Sequence, residues 1–305
     1  MSKLLILGAA GMLGHKLCQY LPAHGHDVIG VIRKDPDSLL RFDNVYSNTK
    51  LLGSVDALKG DGLERTIKDV KPDFVINCIG IVKQLQEAEN AYLSVAINSY
   101  LPHRLARLCE VHGAHLIHIS TDCVFDGARG NYTEKDFSDA RDLYGKSKFL
   151  GETTDGEPCA VTLRTSFIGR ELHRPTHGLI EWFLAQQNQQ VKGFARAIYT
   201  GFTSLELAKV IALAIERKPR LHGLYQVTSA PIDKYALLLL IREVYGLNIN
   251  IERDEKFQCD RSMQGKLFHE ATGYVAPPWS QMIREMRDDP TPYDQFTGNN
   301  GQTWE

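Results

Sequence analysis

The sequence predicts an α/β protein: a doubly wound parallel sheet followed by a smaller α+β lobe. Three observations carry this expectation. The chain has 305 residues, 43% hydrophobic and 24% charged, enough for one large α/β domain or a sheet domain with an appendage, and it can bury a sizeable core. The first 165 residues alternate short β-rich apolar runs with longer amphipathic stretches, the pattern of parallel strands joined by covering helices. Beyond residue 165 the order is less regular.

Taken in order, residues 3–7, 27–32, 74–77, 115–120 and 160–164 read as buried central strands. Between them, 11–21, 62–70, 91–112 and 143–152 carry helical spacing, and Pro72 marks a stop after one of them. In the second half, 178–190, 204–217, 234–245 and 280–287 read as helices, with short strands at 224–228 and 247–251. The Gly-, Asp-, Arg- and Ser-rich stretch 126–142 reads as a long loop of the kind that often forms a lid or binding loop. The polar residues from Pro290 onward read as extended or frayed.

Charge narrows the partners. Lys plus Arg total 35 against 37 for Asp plus Glu, a formal net charge of -2, so no global field draws nucleic acid or anionic lipid. Cys18, Cys78, Cys109, Cys123, Cys159 and Cys259 include no C-x-x-C pair, which argues for a reducing cytoplasm over a disulfide framework or a zinc cage. His112, His115 and His118 run from a helix end into a strand, where His115 and His118 face opposite sides, so no metal site is expected. The apolar run 4–7 after Lys3 has the look of a secretory signal, but Gly8, Gly11 and Gly14 interrupt it. No stretch reaches the roughly 20 apolar residues that cross a bilayer.

The same glycines are the first functional signal. Gly8-Ala9-Ala10-Gly11-Met12-Leu13-Gly14 lies where the first strand ends and an amphipathic helix begins. A pyrophosphate needs a tight turn there, close backbone approach and free helix N–H groups, which favours a Rossmann-type dinucleotide site over the plain strand-to-helix turn that the same glycines would also allow. The second strand is followed by Arg33 and Lys34 instead of an acid, a match for a 2'-phosphate that favours NADPH over NADH, although Asp35 follows and cations after a strand are commonly just solvated. Asp56, after Val55, could accept from an adenine amine or merely close a turn.

Ser120-Thr121-Asp122 closes the fourth core strand, and Tyr144-Gly145-Lys146-Ser147-Lys148 begins 23 residues after Thr121. On a helix, Tyr144 and Lys148 at i, i+4 share one face. A phenol titrates near 10, so proton transfer near neutral pH needs help, and both the Lys148 ammonium and an oxidised nicotinamide favour phenolate. Thr121, at a strand's carboxyl end, can donate to a carbonyl oxygen as charge builds on it. Such a pair alone is a common accident; after a glycine turn and a strand-end S-T-D it is not.

These motifs, with N-C-I-G at 77–80, Asn98, S-T-D-C-V-F-D-G at 120–127 and L-R-T-S-F at 163–167, resemble the extended short-chain dehydrogenase/reductases, and specifically the dTDP-4-dehydrorhamnose reductase group. The resemblance spans about residues 1–215, most strongly before 170. It implies a nucleotide domain over 1–165 and a mainly substrate-binding lobe over 166–305, with some later segments returning to the first. It implies an NAD(P)H-dependent reductase of a nucleotide-linked 4-keto-6-deoxysugar, for polysaccharide biosynthesis. Tyr144 is then the proton donor, Lys148 lowers its pKa and holds the nicotinamide ribose, and Thr121 binds the keto oxygen. Cofactor contacts are implied for Gly8, Gly11, Met12, Leu13, Gly14, Arg33, Lys34, Val55, Asp56, Cys78, Ile79, Gly80, Asn98, Ser120 and Thr165 as well as Tyr144 and Lys148. Asn98 and Cys78 also have bland readings, as a buried hydrogen-bond partner and an apolar filler.

Related 4,6-dehydratases read T-D-E where this chain has Thr121-Asp122-Cys123, so simple keto reduction is implied, with Asp122 binding a sugar hydroxyl. Cys123 replaces an aromatic, Phe167 stands where Trp is common, and 170–178 is unusually polar, which leaves the sugar open. Arg170 and Arg174 are candidates for the substrate diphosphate or belong to a solvated loop, and Trp182 and Phe183 read as core or subunit contact. Rhamnose reductases often form homodimers, an assembly compatible with this chain. Two rival readings stand beside the reductase: a non-catalytic NADP-binding subunit similar to the regulatory beta subunit of methionine adenosyltransferase, and a nucleotide-sugar epimerase.

Overall fold

The computed structural model describes residues 1–83, 86–153 and 156–297. Twelve strands form three sheets: β1 (Lys3–Leu7), β2 (Asp27–Val31), β3 (Lys50–Leu52), β4 (Phe74–Asn77), β5 (His115–Thr121), β6 (Ala160–Thr165), β7 (Phe167–Ile168), β8 (Gln190–Tyr199), β9 (Phe202–Thr203), β10 (Gly223–Gln226), β11 (Ile232–Asp233) and β12 (Asn250–Asp260). The main sheet is all parallel, in the order β3-β2-β1-β4-β5-β6-β10. From β1 the chain winds first toward β3 and then toward β6, so the strand order reverses between β1 and β4. In open α/β sheets such a reversal opens a crevice at the strands' carboxyl ends.

Alternation along β1 divides the core into two layers. Leu4 and Ile6 pack with Leu13 and Leu17 of the helix Met12–Ala23, whereas Leu5 and Leu7 pack with Leu63, Ile67 and Leu105 on the opposite face. All four β1 leucines and isoleucines are fully buried, so truncating any of them to Ala costs on the order of 2–5 kcal/mol.

The predicted central strands are all present, and several features differ from expectation. β3 was not foreseen: it is a three-residue edge strand, too short to show alternation. The helix expected over 178–190 stops at Leu184, and residues 190–199 instead form β8, the centre of a sheet in the order β11-β8-β12. β8 carries Gly193, Ala195 and Ala197, poor strand markers in isolation; Gly193 is required because a Cβ there would meet the Tyr235 ring at 2.7 Å. The strand 224–228 appears as β10 and closes the edge of the main sheet by pairing in parallel with β6.

The helix expected over 91–112 is interrupted. Residues Val95–Tyr100 adopt a π-helix between Ala91–Ser94 and Leu101–His112. Pro102 explains it: lacking an N–H, it cannot bond the Asn98 carbonyl four residues back. Loop 126–142 is docked, with the Phe125 and Tyr132 rings stacked at 4.0 Å and Tyr132 N–H donating to Ser262 O at 2.9 Å. The tail is not frayed at its start. Tyr293–Thr297 is helical, Tyr293 is buried against His15, and Phe296 packs edge-on to Phe42 at 4.8 Å. Two aromatics three residues apart give that short polar segment one apolar face; the expectation for 298–305 lies outside the described residues.

Candidate active site

Where β1 ends, Gly8 takes φ +81, and a Cβ on it would come within 3.1 Å of the Cys78 carbonyl carbon. Gly14 is more constrained: its Cβ would lie 2.1 Å from the Gly8 carbonyl oxygen. Gly11 N–H donates to that same oxygen at 3.0 Å and opens the helix Met12–Ala23, whose first turn has no acidic residue and no capping side chain. Backbone N–H groups and the positive helix end are therefore left to an anion, and the cradle fits a dinucleotide pyrophosphate.

Arg33 and Lys34 are exposed just past β2. Two residues that the sequence reading missed join them: Arg41 Nη2 lies 3.5 Å from His173 Nδ1, and burial, then Arg41 and Lys34, hold the His173 imidazole below its ordinary range. Asp56 commits one oxygen to a turn, accepting from Leu58 N–H at 2.9 Å. On the other side of the crevice, Ile79 N–H donates to Asn77 Oδ1. The Cys78 thiol is half-buried and pushed up to about 12 by burial, which makes it an inert filler. Asn98 Oδ1 accepts from Ile81 N–H at 2.9 Å, and its Nδ2 donates to Ile81 O and to Ser147 Oγ, so it ties the loop after β4 to the helix Leu143–Leu150.

That helix carries Tyr144 and Lys148. Asp142 caps it, Oδ1 accepting from Gly145 N–H at 2.8 Å. Gly145 lets it sit directly on the turn after β5. This contact brings Tyr144 to Thr121, whose hydroxyl accepts from Cys123 N–H at 3.1 Å. Tyr144 is half-buried, and its phenol stands above the usual range because burial outweighs the hydrogen bond with the Thr121 side chain. Where Lys148 was expected to depress it, burial instead holds the proton on this phenol. Lys148 Nζ donates to Ile119 O at 2.7 Å, and burial draws the ammonium down to about 8 against the pull of Glu152.

The second lobe adds charges that the sequence reading missed. Arg261, at the end of β12, donates from Nε to Phe125 O at 2.7 Å and from Nη1 to Cys123 Sγ at 3.4 Å, and Lys234 Nζ lies 3.8 Å from the Tyr199 ring centre. Both cations oppose the upward push of burial on the Asp122 carboxyl. Burial raises the Cys123 thiol to about 12. No local motif marks Lys234 or Arg261; Arg261 reaches the site where the end of β12 meets residues 123–125, and Lys234 reaches it from the first turn of the helix Lys234–Tyr245.

Other candidates take structural places. Ser120 is committed to Glu152, to which its hydroxyl donates at 2.6 Å, and so does not stand free as a cofactor donor. Thr165 is buried at the end of β6, and Phe167 is half-buried in β7, next to Phe202 in register. Arg170 corrects the diphosphate expectation: its guanidinium is buried and bound to Glu181 at 2.6 Å and Asp294 at 2.7 Å, an internal ion-pair node. Arg174 is exposed. Phe183 is core, while Trp182 is 44% exposed. His115 bonds Leu221 O and His118 bonds Asn77, so both rings serve the fold.

Residues 2–241 match the family model described as the RmlD substrate binding domain. The chain belongs to the dTDP-4-dehydrorhamnose reductase-like group of the extended short-chain dehydrogenase/reductases. It is 29% identical over 261 residues to the spore coat polysaccharide biosynthesis protein SpsK of Bacillus subtilis, covering 82% of each chain. It is 30% identical over 240 residues to a probable dTDP-4,6-dihydroxy-2-methyloxan-3-one 4-ketoreductase of Streptomyces antibioticus, 74% of this chain and 71% of the relative. Among solved structures, dTDP-4-dehydrorhamnose reductase of Bacillus anthracis in complex with NADP superposes with a TM-score of 0.76 at 18% identity, covering 94% of this chain and 98% of that one. At that identity the likeness is one of fold.

Proposed function

We propose that the protein is an NAD(P)H-dependent oxidoreductase that reduces the keto group of a nucleotide-linked 4-keto-6-deoxysugar for polysaccharide biosynthesis. The observation that carries this reading is the seating of Tyr144 beside Thr121 on a helix that Gly145 presses against the end of β5, across the sheet reversal from the Gly8–Gly14 turn. A reduced nicotinamide dinucleotide bound at that turn supplies the hydride. The chain's own residues handle the oxygen. Thr121 and Tyr144 offer hydroxyls to the carbonyl, and the phenol, held protonated by burial, gives its proton to the oxygen as charge develops there. Lys148, one turn along the same face, stabilises the phenolate left behind until solvent reprotonates it.

Arg33 and Lys34, with Arg41 and His173 nearby, support NADPH as the preferred cofactor. Asp122, Cys123 and Phe167 are proposed to face the sugar. Retention of Thr121, Tyr144 and Lys148 together favours turnover over a purely regulatory role. All six cysteines are free thiols, which supports a reducing compartment such as the cytoplasm, and a homodimer is the assembly the family supports. The test is direct: purified protein is offered a panel of 4-keto-6-deoxy nucleotide sugars, and oxidation of NADPH or NADH is followed. Stoichiometric consumption supports reduction, turnover without net consumption points to an epimerase, and no oxidation with any substrate rejects the reading.

A further inference from the structure

Behind the Tyr144–Lys148 face lies a buried charge network that proton transfer itself leaves unused. Glu152 is four residues beyond Lys148 and only 6% exposed. Arg164 on β6 grips it twice, Nε to Oε1 at 2.8 Å and Nη2 to Oε2 at 2.5 Å. Ser120 on β5 donates its hydroxyl to Oε1 at 2.6 Å. Ser120 immediately precedes Thr121, and Ile119 before it gives its carbonyl to Lys148 Nζ. Two consecutive residues of β5 are thus fastened to Glu152 and Lys148, and the next residue is the one proposed to hold the keto oxygen.

Stability alone accounts poorly for this arrangement. Withdrawing a carboxylate and a guanidinium from water is costly, and a well-packed apolar pair often serves as well. Here, moreover, Arg164 Nη1 is buried with no hydrogen-bond partner among the described residues. The groups facing Lys148 are few. Cys78 approaches from the β4 side with its thiol pushed up to about 12, and His118 on β5 has its imidazole pulled well below the ordinary range by burial. Tyr144 on the same helix is held protonated, and Arg164 acts from β6 through its partner. Glu152 therefore supplies the carboxylate that opposes the desolvation of the Lys148 ammonium.

We propose that Glu152, clamped by Arg164, is a positioning residue that fastens the Thr121 end of β5 to the catalytic helix and keeps Lys148 in its ammonium form. The proposal rests on the reductase reading for its effect on turnover, but not for its effect on Lys148. The first measurement therefore needs neither substrate nor cofactor. In protein labelled with 13C at lysine Cε, the Lys148 signal, assigned by its loss in Lys148→Arg, titrates near pH 8 in the parent chain. In Glu152→Gln it titrates lower by about half a pH unit or more. The second is kinetic. Glu152→Gln moves the alkaline limb of kcat toward lower pH and leaves KM for the nucleotide sugar within about twofold, while Glu152→Asp restores part of kcat.

Ser120→Ala keeps both charges and decides the matter should Glu152→Gln fail to fold. It lowers kcat about fivefold or more, with the Lys148 titration unmoved. An unchanged Lys148 titration in folded Glu152→Gln, or parental kcat in Ser120→Ala, overturns the proposal. A parent chain that oxidises no reduced cofactor overturns the reductase reading instead and leaves the titration result standing.

Discussion

A Cβ placed on Gly145 would lie 2.2 Å from the carbonyl oxygen of Cys123, so the catalytic helix and the turn after β5 touch backbone to backbone. The distance between the Tyr144 phenol and the Thr121 hydroxyl is set by that contact. Gly145→Ala should push the helix outward. Because a misplacement near 1 Å can cost on the order of 100-fold, kcat should fall at least tenfold, with NADPH affinity within about threefold of the parent. Steady-state kinetics and a fluorescence titration check this; an active Gly145→Ala enzyme would show that the contact does not set the site.

The raised phenol at Tyr144 gives a sharper expectation. Burial keeps it protonated, as the proposed role of acid in the reductive direction requires, and a positioned acid is worth roughly 10²–10⁴-fold. Tyr144→Phe should lose that factor in kcat while binding NADPH almost as the parent does, since it removes one hydroxyl and leaves the glycine cradle intact. Turnover within threefold of the parent would reassign the proton donor.

Cofactor choice is argued from charge. Arg33 and Lys34 are exposed, and Arg41 stands near Lys34 across the neutral His173 ring, so a 2'-phosphate would meet several cations. Replacing both Arg33 and Lys34 by Ser should raise KM for NADPH about tenfold and leave that for NADH nearly unchanged, because charge-assisted bonds to phosphate are worth roughly 1–3 kcal/mol before solvent screening. Equal losses for both cofactors would show that the cations serve the loop and not the ligand.

The glycine turn, the strand-end S-T-D and the Tyr-Lys pair were legible because each is a local pattern whose meaning follows from strand or helix geometry. Glu152 also carried a local signal, one turn past Lys148, but its partners Ser120 and Arg164 sit on two different strands and meet it only in the folded sheet. Lys234 and Arg261 had none. Arg261 gains its meaning when the end of β12 packs over residues 123–125, and Lys234 when the helix it opens comes near Asp122, both across more than a hundred residues of sequence. The same holds for Arg170: a polar loop suggested a free diphosphate ligand, while Glu181 and a tail residue, Asp294, had already claimed it. β8 was hidden by Gly193, which the Tyr235 ring requires, and by Ala195 and Ala197, all poor strand markers.

The tail has a pH consequence. His15 is fully buried, with Nδ1 beside Gly11 O at 2.9 Å and Nε2 beside the Tyr293 hydroxyl at 2.8 Å. A carbonyl can only accept, so Nδ1 carries a proton, and because burial keeps the ring neutral, Nε2 accepts from the Tyr293 hydroxyl. Burial, reinforced by Lys16, lowers the folded imidazole from 6.5 to about 3. Between those values the unfolded chain binds the extra proton, so stability falls as pH drops below about 6.5 and goes on falling toward 3. At pH 5 the loss from this residue is about 2 kcal/mol. His115, lowered to about 4 chiefly by burial, adds in the same direction. Urea unfolding at pH 7.5 and pH 5 should show His15→Gln less stable than the parent at the higher pH but with a smaller loss between the two; an acid loss as large as the parent's would mean that His15 is not the group being protonated on unfolding.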